Sequence, residues 1–291
     1  MLNDICNELG IKMTILSKDW VVKLEKDNII KFITGYKFDL NSHGLGLVMD
    51  DKYAMYEVLC SKNIKSIEYN ILFRRDNYED NYKYVLDFFH KHGNKIVIKP
   101  NEGTCGSDVT HILKEEDIDN NLKRLIKKNF SISVCPYYEV KNEYRFIMLD
   151  NECQLCYGKE KPSIIGDGLH SIKELLLKFN YNYFKDIELE DRILNKDEIY
   201  EYDWRFNLSL GARSFELSED IKNKLLPMVI NISKSIGLGY GSIDIIETID
   251  NDYYVMEINS GVMCKNYMVI GEDGYNKVKT MYKNAVKKMF E

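Results

Sequence analysis

The clearest hydrophobic pattern in this chain lies near its end. Gly241-Ser242-Ile243-Asp244-Ile245-Ile246-Glu247 and Tyr253-Tyr254-Val255-Met256-Glu257-Ile258-Asn259-Ser260-Gly261 alternate apolar or β-branched residues with acidic ones at period two, which predicts two strands. Residues 248–252 between them end in turn formers, so the pair reads as a hairpin. Alternation puts Glu257 and Asn259 on one face, and Asp244 on the partner strand can face them. Two carboxylates and an amide oxygen form a hard, all-oxygen donor set that suits Mg²⁺ bridging to phosphates. The solvated face of an antiparallel hairpin would show the same alternation.

Elsewhere the period is helical. Asp50 or Asp51 caps a helix carrying Tyr53, Tyr56, Val58 and Leu59. A second helix spans about 78–90, with Tyr82, Val85 and Phe89 inward and Gly93 closing it. A third spans 117–128 with Ile118, Leu122, Leu125 and Ile126 inward. A fourth starts at Ser218 and ends at Gly237, with Pro227 inside predicting a kink or a late start. A last helix covers about 274–290. Residues 95–100, 131–135, 143–149 and 153–159 read as strands, and 165–168 as a tight turn into a capped helix. Residues 180–200 are polar and irregular, which predicts a long mobile loop, a candidate lid. Residues 1–45 show little pattern beyond one strand at 29–33 and a loop-like stretch at 38–44, too little for a full nucleotide-binding domain.

Candidate chemistry sharpens this picture at a few points. The strand ending in Lys99-Pro100 runs into a glycine-containing loop at 101–109, a phosphate grip in which backbone N–H groups approach the anion and lysine supplies a point charge. No G-K-[ST] closes it, so it is not a Walker A loop; a surface hairpin with an incidental lysine is the plainer reading. Glu143, Arg145 and Lys159 read in the same way as a cross-strand charge ladder. The net charge of -6 and a pI near 5.6 argue against nucleic acid or an anionic membrane as partner. No apolar run approaches a membrane span and the start of the chain lacks a signal-peptide pattern, so the expected location is the cytoplasm. The 7 cysteines are scattered, which argues against a disulfide framework. Cys153 and Cys156 fall in a strand where positions i and i+3 point to opposite faces, so both read as free thiols rather than a redox or zinc pair. His90-Lys91-His92 reads as a helix C-terminus and not as a metal site.

Taken in order, these pieces resemble the ATP-grasp superfamily of carboxylate–amine ligases over about 40–270, most closely the cyanophycin synthetase, bifunctional glutathione synthetase and ribosomal-protein glutamate ligase families. The resemblance rests on Asp51-Lys52, Val97-Ile98-Lys99-Pro100 and its glycine loop, Glu143-Tyr144-Arg145, Ile165-Gly166-Asp167-Gly168 with Ile172-Lys173-Glu174-Leu175, Asn207-Leu208-Ser209-Leu210-Gly211, and the two strands of the hairpin. It departs at Lys159, where close relatives carry arginine, at Ala212, where they carry a second glycine, and at Ser260, where many have proline.

The resemblance implies an α+β fold in which two subdomains, 46–135 and 136–291, clamp ATP between antiparallel sheets behind a short N-terminal segment, 1–45. It implies that Lys52, Lys99, Gly103, Gly106 and Ser107 hold phosphates. Pro136, Tyr137, Tyr138 and Glu139 form the hinge that reads adenine, and Glu143 binds ribose. Lys159, Arg205, Arg145 and Asn207 serve the transferring phosphoryl group or the acceptor. Asp244, Glu257 and Asn259 hold Mg²⁺, two ions with Mn²⁺ as a substitute. The implied activity joins a carboxylate, activated as an acyl phosphate, to an amine, with small-molecule or peptide substrates and a homodimer as one assembly found among relatives. Modification of a peptide or protein, phosphoryl transfer to a stable acceptor, and non-catalytic nucleotide binding are the competing readings.

Overall fold

The computed structural model describes residues 1–103, 106–271 and 273–291. Thr104 and Cys105 of the expected phosphate loop therefore lie outside the described residues. The chain divides into two compact units, one of residues 1–158 with 215–291 and the other of residues 159–214.

The larger unit opens with α1 (Leu2–Leu9) and a meander of β1 (Lys12–Leu16), β2 (Val21–Lys26), β3 (Ile29–Thr34) and β4 (Lys37–Phe38), paired in that order. The single strand expected here is thus one of four. Two-residue reversal at Asp27 and Asn28, both at positive φ, joins β2 to β3, the conformation a type I′ hairpin requires. Leu24, Ile33 and Phe38 share the buried face.

Two short helices follow, α2 (His43–Asp50) and α3 (Lys52–Ser61). Asp51 separates them and caps the second, its Oδ1 accepting from the Ala54 N–H at 2.9 Å. Next come β5 (Asn70–Phe73), α4 (Tyr78–Lys91), β6 (Ile96–Pro100), β7 (Thr110–Ile112), α5 (Glu116–Lys128) and β8 (Ser131–Pro136). The strands form an antiparallel sheet in the order β5-β8-β6-β7. Val85, Phe88 and Phe89 of α4 and Ile118, Leu122 and Leu125 of α5 pack on Ile96, Ile98, Ile132 and Val134 of that sheet. Burying each such side chain stabilises the unit by about 1.5–3 kcal/mol.

The second large sheet is five-stranded in the order β13-β10-β9-β14-β15: β9 (Val140–Leu149), β10 (Glu152–Glu160) and, after the chain has passed through the smaller unit and returned, β13 (Arg213–Phe215) and the hairpin of β14 (Tyr240–Thr248) and β15 (Tyr253–Asn259). Between the return and the hairpin lies α7 (Glu219–Ile236), which Ser218 caps. Pro227 sits inside this helix, yet the helix is assigned without a break from Glu219, so the late start expected from the proline is not found. Tyr144, Phe146, Met148, Ile243 and Ile245 of the sheet bury themselves against Leu225, Val229 and Ile232 of α7. The chain closes with α8 (Gly274–Met289). Among the described residues no helix is long and apolar enough to cross a membrane.

The smaller unit holds β11 (Ser163–Ile165), α6 (Ile172–Phe184) and β12 (Ile199–Glu201), and β13 (Arg213–Phe215) spans its end. Ser171 and Glu174 form a reciprocal capping box at the start of α6. Between the end of α6 at Phe184 and the start of β12 at Ile199 the chain holds no helix or named strand, yet this stretch is anchored. Phe184 and Leu194 are buried against Ile172 and Leu176, and Arg192 pairs with Glu198 at 2.8 Å. The polar letters between those two anchors hide them from a periodicity reading.

All six described cysteines are free thiols. The expectation that Cys153 and Cys156 face opposite ways fails. Residues 153–156 all line one open cavity with Lys222 and Glu216, and the two thiols hydrogen-bond each other. That bond, with Cys153 as donor, lowers the Cys156 thiol, aided by Lys222, and raises Cys153. Iodoacetamide at neutral pH should therefore modify Cys156 well before Cys153, read peptide by peptide in a mass spectrometer; equal rates would refute the arrangement.

Candidate functional site

The cleft face of the second sheet is organised by register. Arg145 on β9, Asp244 on β14 and Glu257 on β15 are direct cross-strand partners, so three charges stand in one row. The next row is Ile147, Ser242 and Asn259. A register shift after Asp244 ends this regularity just beyond the charged row. Glu257 accepts a hydrogen bond from Asn259 Nδ2 at 3.2 Å, so the pair expected from alternation does stand together.

Asp244 is fully buried, and both of its carboxylate oxygens accept from Arg145, one from Nε at 2.6 Å and the other from Nη2. Burial disfavours the Arg145 charge, but Asp244 outweighs it and holds the guanidinium well above its ordinary range. The row thus offers a carboxylate neutralised by arginine beside a carboxylate held by an amide. As oxygen donors, Asp244, Glu257 and Asn259 fit a hard divalent cation. Arg145 lies in the same row and contributes charge through Asp244.

Facing β15, the start of α3 is tied to the start of the glycine loop. Lys52 Nζ donates to the carbonyls of Asn101 and Gly103 at 3.0 and 2.8 Å. Burial pulls the Lys52 ammonium below its ordinary value, and Glu257 pulls it back. A small cavity here is lined by Asp50, Lys52, Glu102, Gly103, Glu257 and Asn259, among others. A Cβ at Gly103 would come within 2.9 Å of the Pro100 ring, so glycine is needed for the turn out of β6. Gly106 has φ +66, and Ser107 beside it is exposed. Lys99, on β6, donates to Tyr69 Oη at 2.8 Å.

The expected hinge follows β8, with Pro136 as the last residue of that strand. Its backbone is partly committed. Tyr137 N–H donates to Lys95 O at 3.1 Å, and Glu139 O accepts from Ile249 N–H at 3.0 Å. The Glu139 side chain is exposed and pairs with Lys95 at 3.0 Å. Between these two fixed points lies Tyr138. The Tyr137 ring stacks on His111 at 3.8 Å, and Tyr138 packs on Tyr254 at 4.9 Å. Glu143 is buried opposite Ile246, on the face that carries Arg145.

Three expected residues belong to the smaller unit. Lys159 is buried. Arg205 makes a two-pronged contact with Asp203, from Nε at 2.9 Å and Nη2 at 2.6 Å, and Nη2 also reaches Tyr183 Oη at 3.2 Å. Asn207 Oδ1 accepts from Ser209 N–H at 2.8 Å and starts a short 3₁₀ turn.

Sequence reasoning missed three residues of this region. Tyr69 reads as one more apolar residue before a strand. Asn101 is fully buried, its Nδ2 lacking a partner among the described residues, while its Oδ1 accepts from the Tyr53 N–H at 3.3 Å; a buried amide donor beside a lysine suits an anion. Ser242, in the Asn259 row, is a buried hydroxyl without a partner among the described residues. Of the three, only Asn101 carried a cue, following Lys-Pro directly at the mouth of the loop.

A family model described as the RimK-like ATP-grasp domain matches residues 194–280. The glutathione biosynthesis bifunctional protein of Streptococcus thermophilus is 27% identical over 162 residues, 55% of this chain and 21% of that protein. Cyanophycin synthetase of Crocosphaera subtropica is 25% identical over 200 residues, 58% of this chain and 23% of that protein. The chain thus spans roughly a fifth of the length of these curated relatives. The crystal structure of a bifunctional glutathione synthetase from Pasteurella multocida superposes with a TM-score of 0.56 at 18% identity, over 96% of this chain and 42% of that one. The chain therefore shares the fold of that glutathione synthetase structure, and its residues 194–280 match the RimK-like ATP-grasp domain.

Proposed function

We propose that the protein is an ATP-dependent ligase that activates a carboxylate as an acyl phosphate and joins it to an amine, releasing ADP and phosphate. The observation that carries this reading is the row of Arg145, Asp244 and Glu257 with Asn259 beside it, faced by Lys52 in the same cavity as Glu257. Alternating charge of that kind suits a polyphosphate and its cation. The two named relatives, a glutathione biosynthesis protein and a synthetase, support the reaction class.

In this reading the two sheets of residues 46–135 and 136–291 clamp ATP, with residues 1–45 as a short leading segment. Tyr138, between the committed N–H of Tyr137 and the committed carbonyl of Glu139, offers its backbone to adenine, and Glu143 takes the ribose. Lys52 and Lys99, with the backbone at Gly103, Gly106 and Ser107, hold the phosphates. Asp244, Glu257 and Asn259 would hold Mg²⁺, as two ions that Mn²⁺ can replace; when bound, the metal neutralises charge on the transferring phosphoryl group. Arg145 holds both carboxylate oxygens of Asp244 and so fixes its orientation. Lys159, Arg205 and Asn207 are assigned to the phosphoryl group and the acceptor. No side-chain nucleophile is needed, since positioning and fixed charge supply most of the acceleration. The setting is cytoplasmic, with small-molecule or peptide substrates and a homodimer as the assembly.

The test is ADP release from Mg²⁺-ATP across pools of amino acids, small diacids and short peptides, with mass spectrometry of each positive pool. The expected product is lighter by one water than its two parents. A phosphorylated and uncondensed product would convert the reading to a phosphotransferase. Binding of ATP with no pool stimulating turnover would favour a larger, peptide or protein substrate, or a non-catalytic module.

A further inference from the structure

We propose that Tyr69 is a positioning residue for nucleotide phosphates, acting through Lys99; this rests on the ATP-binding reading above and adds to it a residue no phosphate motif contains.

The argument begins with the chain just before β5. Residues 65–67 run along the free edge of β15, with Ile67 N–H donating to Val255 O and Val255 N–H to Lys65 O, both at 3.0 Å. That pairing fixes where the next residues go. Tyr69 is carried inward, between the sheet that bears Lys99 and the strand that bears Glu257, and only 3% of it is exposed. Its ring packs edge-on to Tyr56 at 6.5 Å and belongs to a cluster with Val97, Cys135 and Ile246.

The hydroxyl is fully used. It accepts from Lys99 Nζ at 2.8 Å and donates to Met256 O at 3.2 Å. Met256 directly precedes Glu257, so one hydroxyl bridges the lysine of β6 to the backbone of the strand carrying the acidic pair. Lys99 Nζ also lies 4.8 Å from the Tyr69 ring centroid, a second attraction to the same side chain. Burial, first, and then Cys135, Glu257 and Glu143 raise the phenol well above its ordinary range, so it stays neutral and keeps its donor.

An ammonium has three donors and no acceptor. Tyr69 takes one of the Lys99 donors and fixes the direction of the other two. A lysine on a flexible stem is otherwise a mobile point charge, and pre-orienting it lowers the entropy lost when an anion binds. The tyrosine therefore acts on the phosphates without touching them.

The experiment is a double-mutant cycle by calorimetry on Tyr69→Phe, Lys99→Met and the combined variant, titrated with Mg²⁺-ATP, ADP and adenosine. Phe keeps the buried ring and removes the hydroxyl. Tyr69→Phe should weaken ATP and ADP roughly tenfold, the size of one hydrogen bond to a charged group, and leave adenosine unchanged. In the Lys99→Met background the same substitution should have no further effect on ATP. A merely structural role would weaken adenosine as much as ATP, or add in full to Lys99→Met, and either result overturns the inference. Unchanged ATP affinity in Tyr69→Phe, with wild type binding normally, overturns it alone. Wild type that fails to bind Mg²⁺-ATP overturns the nucleotide reading and this inference with it.

Discussion

Glu257→Gln is expected to lose ADP formation on the order of a thousandfold while keeping the fold. The substitution preserves shape and the contact with Asn259 Nδ2, which reaches Oε1 at 3.2 Å. It removes one negative charge from a row in which the neighbouring carboxylate, Asp244, is already matched by Arg145. Glu257 is thus the carboxylate of the row left to offset a cation, and it also steadies the Lys52 ammonium against burial. Losing several kcal/mol of charge stabilisation in the transition state corresponds to about three powers of ten in rate. Two measurements check this: turnover against Mg²⁺ concentration, and thermal melting. The expected pattern is a large rate loss, partial recovery at high Mg²⁺, and a melting curve close to wild type. Full activity would remove Glu257 from the metal site. Rate loss with an unaltered Mg²⁺ dependence would assign it to substrate binding instead.

Why the strand placement of Asp244, Glu257 and Asn259 could be read in advance is clear from particular residues. The hairpin announces itself because around Asp244 and Glu257 apolar and acidic residues alternate, so period two survives in the letters; Ile243 and Ile245 go to α7 while Asp244 stays on the cleft side. Asp51 is legible as a cap because capping is a local interaction with a short list of suitable side chains. The N-terminal meander is not legible from hydrophobicity. Its outer face carries Ile30 and Phe32, which are 51% and 44% exposed, so inside and outside look alike; the Asp27-Asn28 turn was the stronger cue. The anchoring within residues 180–200 is hidden for the opposite reason, since Phe184 and Leu194 are sparse apolar residues in a polar stretch. Tyr69 is invisible in principle. Its role depends on Lys99, thirty residues away, and on an edge pairing with β15 that no local pattern encodes.

The same limit applies to Glu247, which reads as one more acidic residue of the hairpin and turns out to be buried. It sits on the core side of β14 with 4% exposure. Its Oε2 accepts from Tyr144 Oη at 2.6 Å and Asn142 Nδ2 at 2.8 Å, and its Oε1 from Tyr253 Oη at 2.9 Å, with Lys141 Nζ at 3.5 Å. Burial alone would raise this carboxyl, but the hydrogen bonds from Tyr144, Asn142 and Tyr253 and the charge of Lys141 outweigh it and hold it down at about 2, against an ordinary 4.5. A carboxyl depressed on folding stabilises the native state above the unfolded value, and that contribution fades as pH falls through the folded one. At about 1.36 kcal/mol per pH unit, the gap amounts to roughly 3 kcal/mol at neutral pH. Glu247→Gln, which is neutral and brings a donor into a ring of donors, should therefore be less stable than wild type by about that amount at pH 7 in urea unfolding, and by the same amount at pH 5. Between 4.5 and about 2 the difference should shrink, because wild type must release the advantage as Glu247 takes up its proton. A difference that persists in full at pH 3 would mean that shape and not charge holds the network. No difference at pH 7 would mean that the desolvation of this carboxylate cancels everything its four partners supply.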